Sequence, residues 1–380
     1  MARPTTAKKR ILIFSASFGG GHRSAAEALL RYYKTHHDDT TEVRMVDFFQ
    51  EFTPSLNLLA KFGYQQSVQF FPALYGNFFE VSNKLPTNPV VHELKLMGFA
   101  RASAYIDEFR PDAVISTFPV AGGVVSDIKA SRPLVSATII TDFGVHRAWL
   151  HPATDFYFVA CKEVREDLVV RGIPWDRVVV SGIPVAEKFS EEFDTSTLRR
   201  ELGLGDRFTA LLTAASGQTG DARDIAKRLA ACGIQVACLA GNNARLKRRL
   251  DVLAKKHDLV HVFGYTSDMH KMMRAADVLV GKAGGLTVSE ALSVGLPLII
   301  YNPVPGQELY NVDFLVNFGA GLSSRDEDDV VEKVRFLSTH PERLRQITDD
   351  AAMLGKPTAA QSVCERVLTA LRQGEREVGR

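Results

Sequence analysis

The sequence lacks several features that would assign a protein to a narrow class. Its 380 residues include only four cysteines, without CxxC or metal-ligand spacing, which predicts buried free thiols in a reducing compartment rather than disulfides or a zinc site. No apolar run reaches the roughly 18 residues that a membrane-spanning helix needs, and the N-terminus has no apolar segment of the secretory type. The formal net charge of +2 gives no indication of nucleic-acid binding.

The G-x-G-x-x-G fingerprint is missing as well, which argues against a dinucleotide-dependent dehydrogenase. The chain instead alternates short apolar runs with helical patterns from end to end. Strands are predicted at 11–17, 41–48, 112–118, 134–140, 155–160, 178–184, 208–215, 234–241, 259–265, 277–282 and 296–302, and helices of the first half at 22–36, 90–109, 121–131 and 162–172. This alternation predicts an α/β fold with parallel sheets covered by helices on both faces.

The two successive sets of strands predict two Rossmann-like domains rather than one large sheet. We place the boundary in the polar stretch after Val185, which gives domains 1–187 and 188–380. The last helix of the second domain is able to cross back to the first domain. Ligands of open α/β sheets bind at the carboxyl ends of the strands. Two such domains facing each other would form a cleft with room for two substrates, one in each domain.

The most informative segment is 281–311. Its Gly-rich turn at 282–285 lets backbone N–H groups approach a phosphate, and a helix that begins near Thr287 points its positive end at the same place. Glu290 lies about one turn into that helix, where a carboxylate can accept hydrogen bonds from a ribose diol. The pattern therefore indicates a nucleotide-sugar site. The alternative is an ordinary βαβ unit with a Gly-rich corner, which would show the same pattern.

The same segment contains two polar residues, Gln307 and Asn311, that are four positions apart. On a helix they would share one face, and their side chains could bind sugar hydroxyls. A second acidic pattern, Asp326-Glu327-Asp328, precedes a helical stretch at 330–338. Capping of that helix explains these carboxylates better than metal binding does.

A second Gly-rich loop follows the first strand, where three consecutive glycines precede His22. A helix N-terminus lowers the pKa of a histidine and so favours the neutral imidazole that a general base needs. His22 is thus a candidate base, while capping or lining of the turn is the alternative. Another polar group, Asp142, His146 and Trp149, follows the strand at 134–140, where one of its members could orient a base or contact an acceptor.

Residues 48–80 contain eight of the 23 phenylalanines. One interpretation is that they form core beneath a long helical excursion. The favoured one is a partly exposed apolar surface that dips into a bilayer or grips an acyl chain. The nearby cations Lys61, Lys84 and Arg101 would then face anionic lipid.

Taken together, the loop 15–26 with its GGGH, the stretch 141–149 and the segment 281–311 resemble the monogalactosyldiacylglycerol synthase and processive diacylglycerol glucosyltransferase family. More distantly they are similar to the peptidoglycan lipid-intermediate N-acetylglucosaminyltransferase. The resemblance covers about residues 9–360. It implies the GT-B fold and an inverting transfer of a hexose from a UDP-sugar to the hydroxyl of diacylglycerol. It also implies a peripheral enzyme on the cytoplasmic side of the cell membrane.

The resemblance also implies a role for individual residues. On the donor side these are Ser216, Gly217, Gln218, Tyr265, Lys282, Gly284, Gly285, Thr287, Glu290, Gln307 and Asn311. Tyr265 would lie near the uracil, Glu290 would hold the ribose and Gln307 with Asn311 would bind the hexose. On the acceptor side they are Gly20, Gly21, Asp142, His146 and Trp149, with His22 as the base.

No metal or other cofactor is expected, because a helix N-terminus and backbone N–H groups can stabilise the leaving diphosphate. Leu309 and Tyr310 interrupt the sugar-binding stretch, so the choice between glucose and galactose stays open, as do the number of sugars added and the oligomeric state. Two other functions remain: a UDP-sugar 2-epimerase of similar fold, and a non-catalytic UDP-sugar-sensing protein that would not need His22.

Overall fold

The computed structural model describes residues 8–17, 20–54, 72–84, 89–213 and 219–378. The chain divides into two compact units. The first comprises Met1–Glu187, Pro305–Gln307 and Pro357–Arg380, and the second comprises Lys188–Val304 and Glu308–Lys356.

The first unit is built on a parallel sheet whose strand order is β2-β1-β3-β4-β5-β6. The order reverses between β1 and β3, and ligands of such sheets bind outside the strand ends at this switch point. The strands are β1 (Lys9–Ser15), β2 (Thr41–Asp47), β3 (Ala113–Ser116), β4 (Val135–Ile139), β5 (Phe156–Val159) and β6 (Val178–Val180).

Helices cover both faces of this sheet because its strands are apolar on both sides. They are α1 (Gly20–His36), α2 (Phe48–Phe52), α3 (Pro72–Lys84), α4 (Pro89–Phe109), α5 (Pro119–Lys129) and α6 (Lys162–Val170), with one-turn 3-10 helices at Arg147–Trp149, Trp175–Arg177 and Glu187–Phe189. The C-terminal helix of the chain, which we number α15 (Ala359–Val378), belongs to the same unit. Its Val363 and Val367 are buried in one cluster with Leu29 of α1 and Ile13 of β1.

The opposite face of the first sheet is packed with aromatic rings. Phe48, Phe49 and Phe52 are at most 3% exposed, and the rings of Phe48 and Phe52 meet Phe14 edge-on with centroids 5.8 and 5.5 Å apart. For these three residues the surface hypothesis is wrong, because α2 turns their rings into the core. Phe62, Phe70, Phe71, Tyr64 and Lys61 lie outside the described residues.

The second unit has a parallel sheet with the strand order β12-β11-β10-β7-β8-β9. Read from the other edge, this is the dinucleotide-fold order 3-2-1-4-5-6, with its switch point between β7 and β10. The strands are β7 (Thr209–Thr213), β8 (Gln235–Leu239), β9 (Val260–Phe263), β10 (Val278–Gly281), β11 (Leu298–Ile300) and β12 (Gly321–Ser323). The short β12 was not predicted, because its sequence Gly-Leu-Ser contains a single large apolar residue and so forms no apolar run.

The helices of the second unit enclose a continuous aliphatic core that includes Leu229, Leu250 and Val334. They are α7 (Thr195–Glu201), α8 (Thr219–Ala231), α9 (Ala244–Ala254), α10 (Met269–Ala275), α11 (Gly285–Ser293), α12 (Gln307–Asn317), α13 (Glu327–Thr339) and α14 (Pro341–Leu354). Asp326 caps α13, since its carboxylate accepts a hydrogen bond from the Asp329 N–H at 2.8 Å. The capping interpretation of the acidic pattern is therefore confirmed.

Two parallel six-stranded sheets with helices on their faces confirm the predicted α/β class with two Rossmann-like domains. Across the described ranges, no helix combines the length and the apolar character that crossing a membrane requires.

Candidate active site

His22 lies at the switch point of the first sheet. It occupies the first turn of α1, directly beyond β1, and its Nδ1 is 2.9 Å from the hydroxyl of Thr141, which follows β4. The Thr117 hydroxyl, beyond β3, donates to the His22 carbonyl at 2.9 Å. The strand ends that meet at this edge therefore hold both the backbone and the ring of His22.

Two aromatic rings flank the His22 imidazole. Phe118 meets it edge-on with centroids 5.1 Å apart, and the Trp149 ring lies 6.1 Å away. Burial in these surroundings lowers the pKa of His22 to about 4, against a smaller opposing effect of a hydrogen bond with the Thr117 backbone. The imidazole is therefore neutral at pH 7 and able to accept a proton, as a general base must be.

The other acceptor-side residues fall into two groups. Trp149 is 4% exposed and lies beside His22, and Asp142 directly follows Thr141. His146 is engaged elsewhere, since its Nδ1 accepts the Ala148 N–H at 3.1 Å and its Nε2 lies 3.0 Å from the Ser82 hydroxyl of α3. His146 thus ties the loop after β4 to α3, and its part in acceptor binding stays a prediction.

Gly20 and Gly21 open α1, and a side chain at Gly20 would point into open space. Phe18 and Gly19 lie outside the described residues. The helix therefore starts with two residues whose backbone a ligand can approach without obstruction by a Cβ.

The Gly-rich turn of the second unit lies at the other switch point. Gly281 ends β10, where a Cβ would overlap the hydroxyl of Thr213 at the end of β7. The N–H groups in the first turn of α11 have no hydrogen-bond partner within the helix. The N-cap residue is Gly284, which has no side chain to accept a hydrogen bond from them. A helix start of this kind, at the end of a central parallel strand, is suited to bind a phosphate.

Asn311 holds the backbone of this turn in place. Its side chain is fully buried, and its Nδ2 donates to the Ala283 carbonyl at 2.7 Å, which joins α12 to the turn before α11. Glu308, one residue into α12, accepts the Val304 N–H at 2.6 Å and so fixes the loop that follows β11. The structure thus gives Asn311 a supporting role at the phosphate turn, and hexose binding by Asn311 stays a prediction.

Glu290 lies five residues beyond the start of α11. Burial raises the pKa of Glu290 to about 7, and the opposing attraction of the Lys188 ammonium limits the rise. The carboxyl group is thus poised between its two protonation states at neutral pH. When ionised it can accept two hydrogen bonds, as a ribose diol requires.

The remaining donor-side residues are less closely grouped. Lys282 and Thr287 are partly exposed at the turn and in the first part of α11, and Gln307 is the first residue of α12. Tyr265 lies beyond β9 with 72% of its surface exposed, so its ring is available for stacking. Ser216, Gly217 and Gln218 lie outside the described residues.

Sequence reasoning did not identify three residues that act on the predicted site residues. Thr117 and Thr141 support His22, and Lys188 acts on Glu290. Thr141 directly follows the strand predicted at 134–140, and Thr117 lies at the end of the strand predicted at 112–118. Their position at strand ends is the signal that could have found them. Within the described ranges, no group of three or more His, Cys, Asp or Glu side chains is placed to hold a metal ion. That the reaction needs no metal stays a prediction.

Comparison with known proteins finds a matching protein family for each half of the chain. Residues 22–185 match the family described as monogalactosyldiacylglycerol (MGDG) synthase, and residues 214–363 match the glycosyltransferase family 28 C-terminal domain. Each half of the chain is therefore similar to one of these two families. Both candidate sites lie largely inside the matched ranges, with His22 at the start of the first and Glu290 within the second.

Full-length relatives agree with the domain assignment. The chain is 28% identical to the processive diacylglycerol beta-glucosyltransferase of Bacillus subtilis (strain 168), over 95% of each protein. Among solved structures, MurG of Acinetobacter baumannii matches with a TM-score of 0.64 at 15% identity, covering 95% of this chain and 99% of that one. A UDP-N-acetylglucosamine 2-epimerase matches with a TM-score of 0.62 at 14% identity, covering 96% and 97%. These neighbours confirm the predicted GT-B fold class.

Proposed function

We propose that the chain is an inverting glycosyltransferase that moves a hexose from a UDP-sugar to the hydroxyl of diacylglycerol. The main support is that this chain matches a diacylglycerol glucosyltransferase along almost its whole length. One sheet switch point holds a neutral histidine, and the other holds a helix start suited to bind a phosphate. Glucose is the hexose in the printed name of that relative, and we propose it for this chain ahead of galactose.

The proposed reaction is a direct displacement at the anomeric carbon. The diacylglycerol oxygen forms the new bond to that carbon as its proton passes to the His22 imidazole, and the bond to the diphosphate breaks so that UDP leaves. The first-turn N–H groups of α11 and the Lys282 ammonium would stabilise the charge that develops on the leaving diphosphate. Because these groups supply the positive charge, we propose that the transfer needs no metal ion.

We further propose that the enzyme acts at the cytoplasmic surface of the membrane, where diacylglycerol is found in the bilayer. Helix α4 supports this, because Leu96 and Met97 expose 57% and 52% of their surface. Arg101 lies one turn beyond Met97 and is exposed as well, so an apolar side chain and a cationic one share one face of the helix. Such a face suits an anionic lipid surface.

A lipid-product assay tests the proposed function. The full chain is incubated with radiolabelled UDP-glucose or UDP-galactose and diacylglycerol vesicles, and the lipids are then resolved. We expect labelled glycolipid with wild-type protein, and a loss of about 10²–10⁴-fold in H22A, which removes the base but leaves UDP binding intact. The matched control is H36A at the exposed end of the same helix.

Other outcomes distinguish the rival functions. Conversion of the UDP-sugar without any labelled lipid would indicate the 2-epimerase. Binding of the UDP-sugar without any turnover would indicate the sensing protein. Equal glycolipid formation by H22A and wild type would contradict the role of His22 as the base.

A further inference from the structure

Lys188 lies at the start of the second unit, directly after the residue that ends the main segment of the first. Its ammonium donates to the Ser267 carbonyl and lies 3.8 Å from the Asp268 carboxylate. Both partners belong to the turn between β9 and α10, which also contains the exposed Tyr265. The side chain of Lys188 thus fastens this turn to the beginning of the unit.

The same ammonium acts on Glu290. It lowers the pKa of that carboxyl group and so opposes the effect of burial. The Lys188 side chain is only 25% exposed, so solvent and salt screen this attraction less than they would screen a surface pair. Lys188 therefore influences two elements of the predicted donor site, the turn at 264–268 and the carboxylate on α11.

We propose that Lys188 is a positioning residue of the donor site, which fixes the turn at 264–268 and favours the ionised form of Glu290 that binds the ribose of a nucleoside diphosphate. The inference rests on the proposed function, because it takes Glu290 as the ribose ligand. Lys188 need not touch the nucleotide, since it acts through the Ser267 carbonyl and the Glu290 carboxylate.

The other charged and titratable groups near Lys188 do not replace it. Asp268 is 59% exposed and offsets part of the positive charge. His270 is buried, and burial together with Lys188 and Lys271 lowers its pKa despite Asp268 and Glu191, so it is neutral at pH 7. Lys188 is thus the cation that acts on Glu290 among the described residues.

The test is calorimetric titration of UDP into the full chain between pH 6 and 9. We compare wild type with K188M, with K188Q as a second neutral variant, and with K188R, which keeps the charge. The control is K271M, because Lys271 lies nearby on α10 but pairs with Glu201 at 3.6 Å. Thermal unfolding of each variant verifies that it is folded.

We expect K188M and K188Q to bind UDP about tenfold more weakly than wild type at pH 7.5, and K188R to bind within about threefold of it. The pH midpoint of UDP binding should move upward in the neutral variants, since loss of the ammonium raises the pKa of Glu290. K271M should match wild type in both affinity and midpoint.

Other results would overturn the inference. A wild-type chain that binds no UDP would refute the donor site and the inference together. If wild type binds UDP and folded K188M binds equally well with an unchanged pH midpoint, the donor site stands and the role of Lys188 does not. Equal weakness of K188R and the neutral variants would show that the charge is not what matters.

Discussion

The Thr141 hydroxyl and the Nδ1 atom of His22 are 2.9 Å apart, although the two residues are 119 positions apart in the chain. Thr141 follows β4 and His22 lies in the first turn of α1, beyond β1, so the contact joins two strand ends of one parallel sheet. A ring held on one nitrogen has a fixed orientation, and a base gains its efficiency from such placement. The contact therefore leads to a prediction about Thr141.

Removal of the Thr141 hydroxyl should slow glycosyl transfer without weakening UDP-sugar binding. We expect T141V to lower kcat about tenfold, because the imidazole loses its orienting partner, and T141S to restore most of the rate. Steady-state kinetics with diacylglycerol vesicles separate kcat from the KM for the UDP-sugar. A wild-type kcat in T141V, or an equal loss in T141S, would contradict an orienting role.

The pH dependence of UDP binding should follow Glu290 rather than His22. His22, with a pKa of about 4, stays neutral above pH 5, whereas Glu290, with a pKa of about 7, gains a proton as the pH falls through neutrality. The protonated carboxyl is a poorer acceptor, so UDP affinity should fall between pH 8 and 6. In E290Q the affinity should be lower throughout and nearly independent of pH.

The same pKa predicts how pH affects stability. Folding raises the pKa of Glu290 from 4.5 to about 7, so the folded state binds the extra proton and is destabilised as the pH rises through this range. E290Q should therefore gain about 1 kcal/mol in the free energy of unfolding relative to wild type at pH 8, and little at pH 4. Urea unfolding at the two pH values measures this. A larger gain at pH 4 would contradict the raised pKa.

Loss of the Asn311 amide should affect both stability and phosphate binding. N311A leaves the Ala283 carbonyl without its partner and opens a small cavity, so we expect a loss of about 1–3 kcal/mol in the free energy of unfolding. UDP should bind more weakly because the turn loses its support. The control is N317A at the exposed end of the same helix. Unchanged UDP affinity in a destabilised N311A would show that the amide supports only the fold.

Chelation of metal ions should leave the transfer rate nearly intact. The proposed mechanism stabilises the leaving diphosphate with the start of α11 and with Lys282, so EDTA removes nothing that the reaction needs. The glycolipid assay with and without EDTA, followed by added Mg²⁺, measures this. Full loss of activity with EDTA and its recovery with Mg²⁺ would overturn the metal-free mechanism.

Much of the fold could be predicted from local patterns. Apolar runs such as those of β1 and β10 specify buried parallel strands, and the glycines after them specify turns that a phosphate can approach. The signal failed where an element has too few apolar residues, as in β12, or where its partners are distant in the chain. The aromatic residues of α2 illustrate the second case, since composition does not reveal which face of a helix is covered.

The sequence by itself determined the α/β class, the two Gly-rich motifs and the residue types at each of them. Only the tertiary structure decided which long-range partners set their properties: Thr141 against His22, Lys188 against Glu290, and Asn311 beneath the turn at Ala283. The reason is physical. Periodicity and turn chemistry act between neighbours in the chain, whereas burial and charge depend on strand ends that the sheet order brings together.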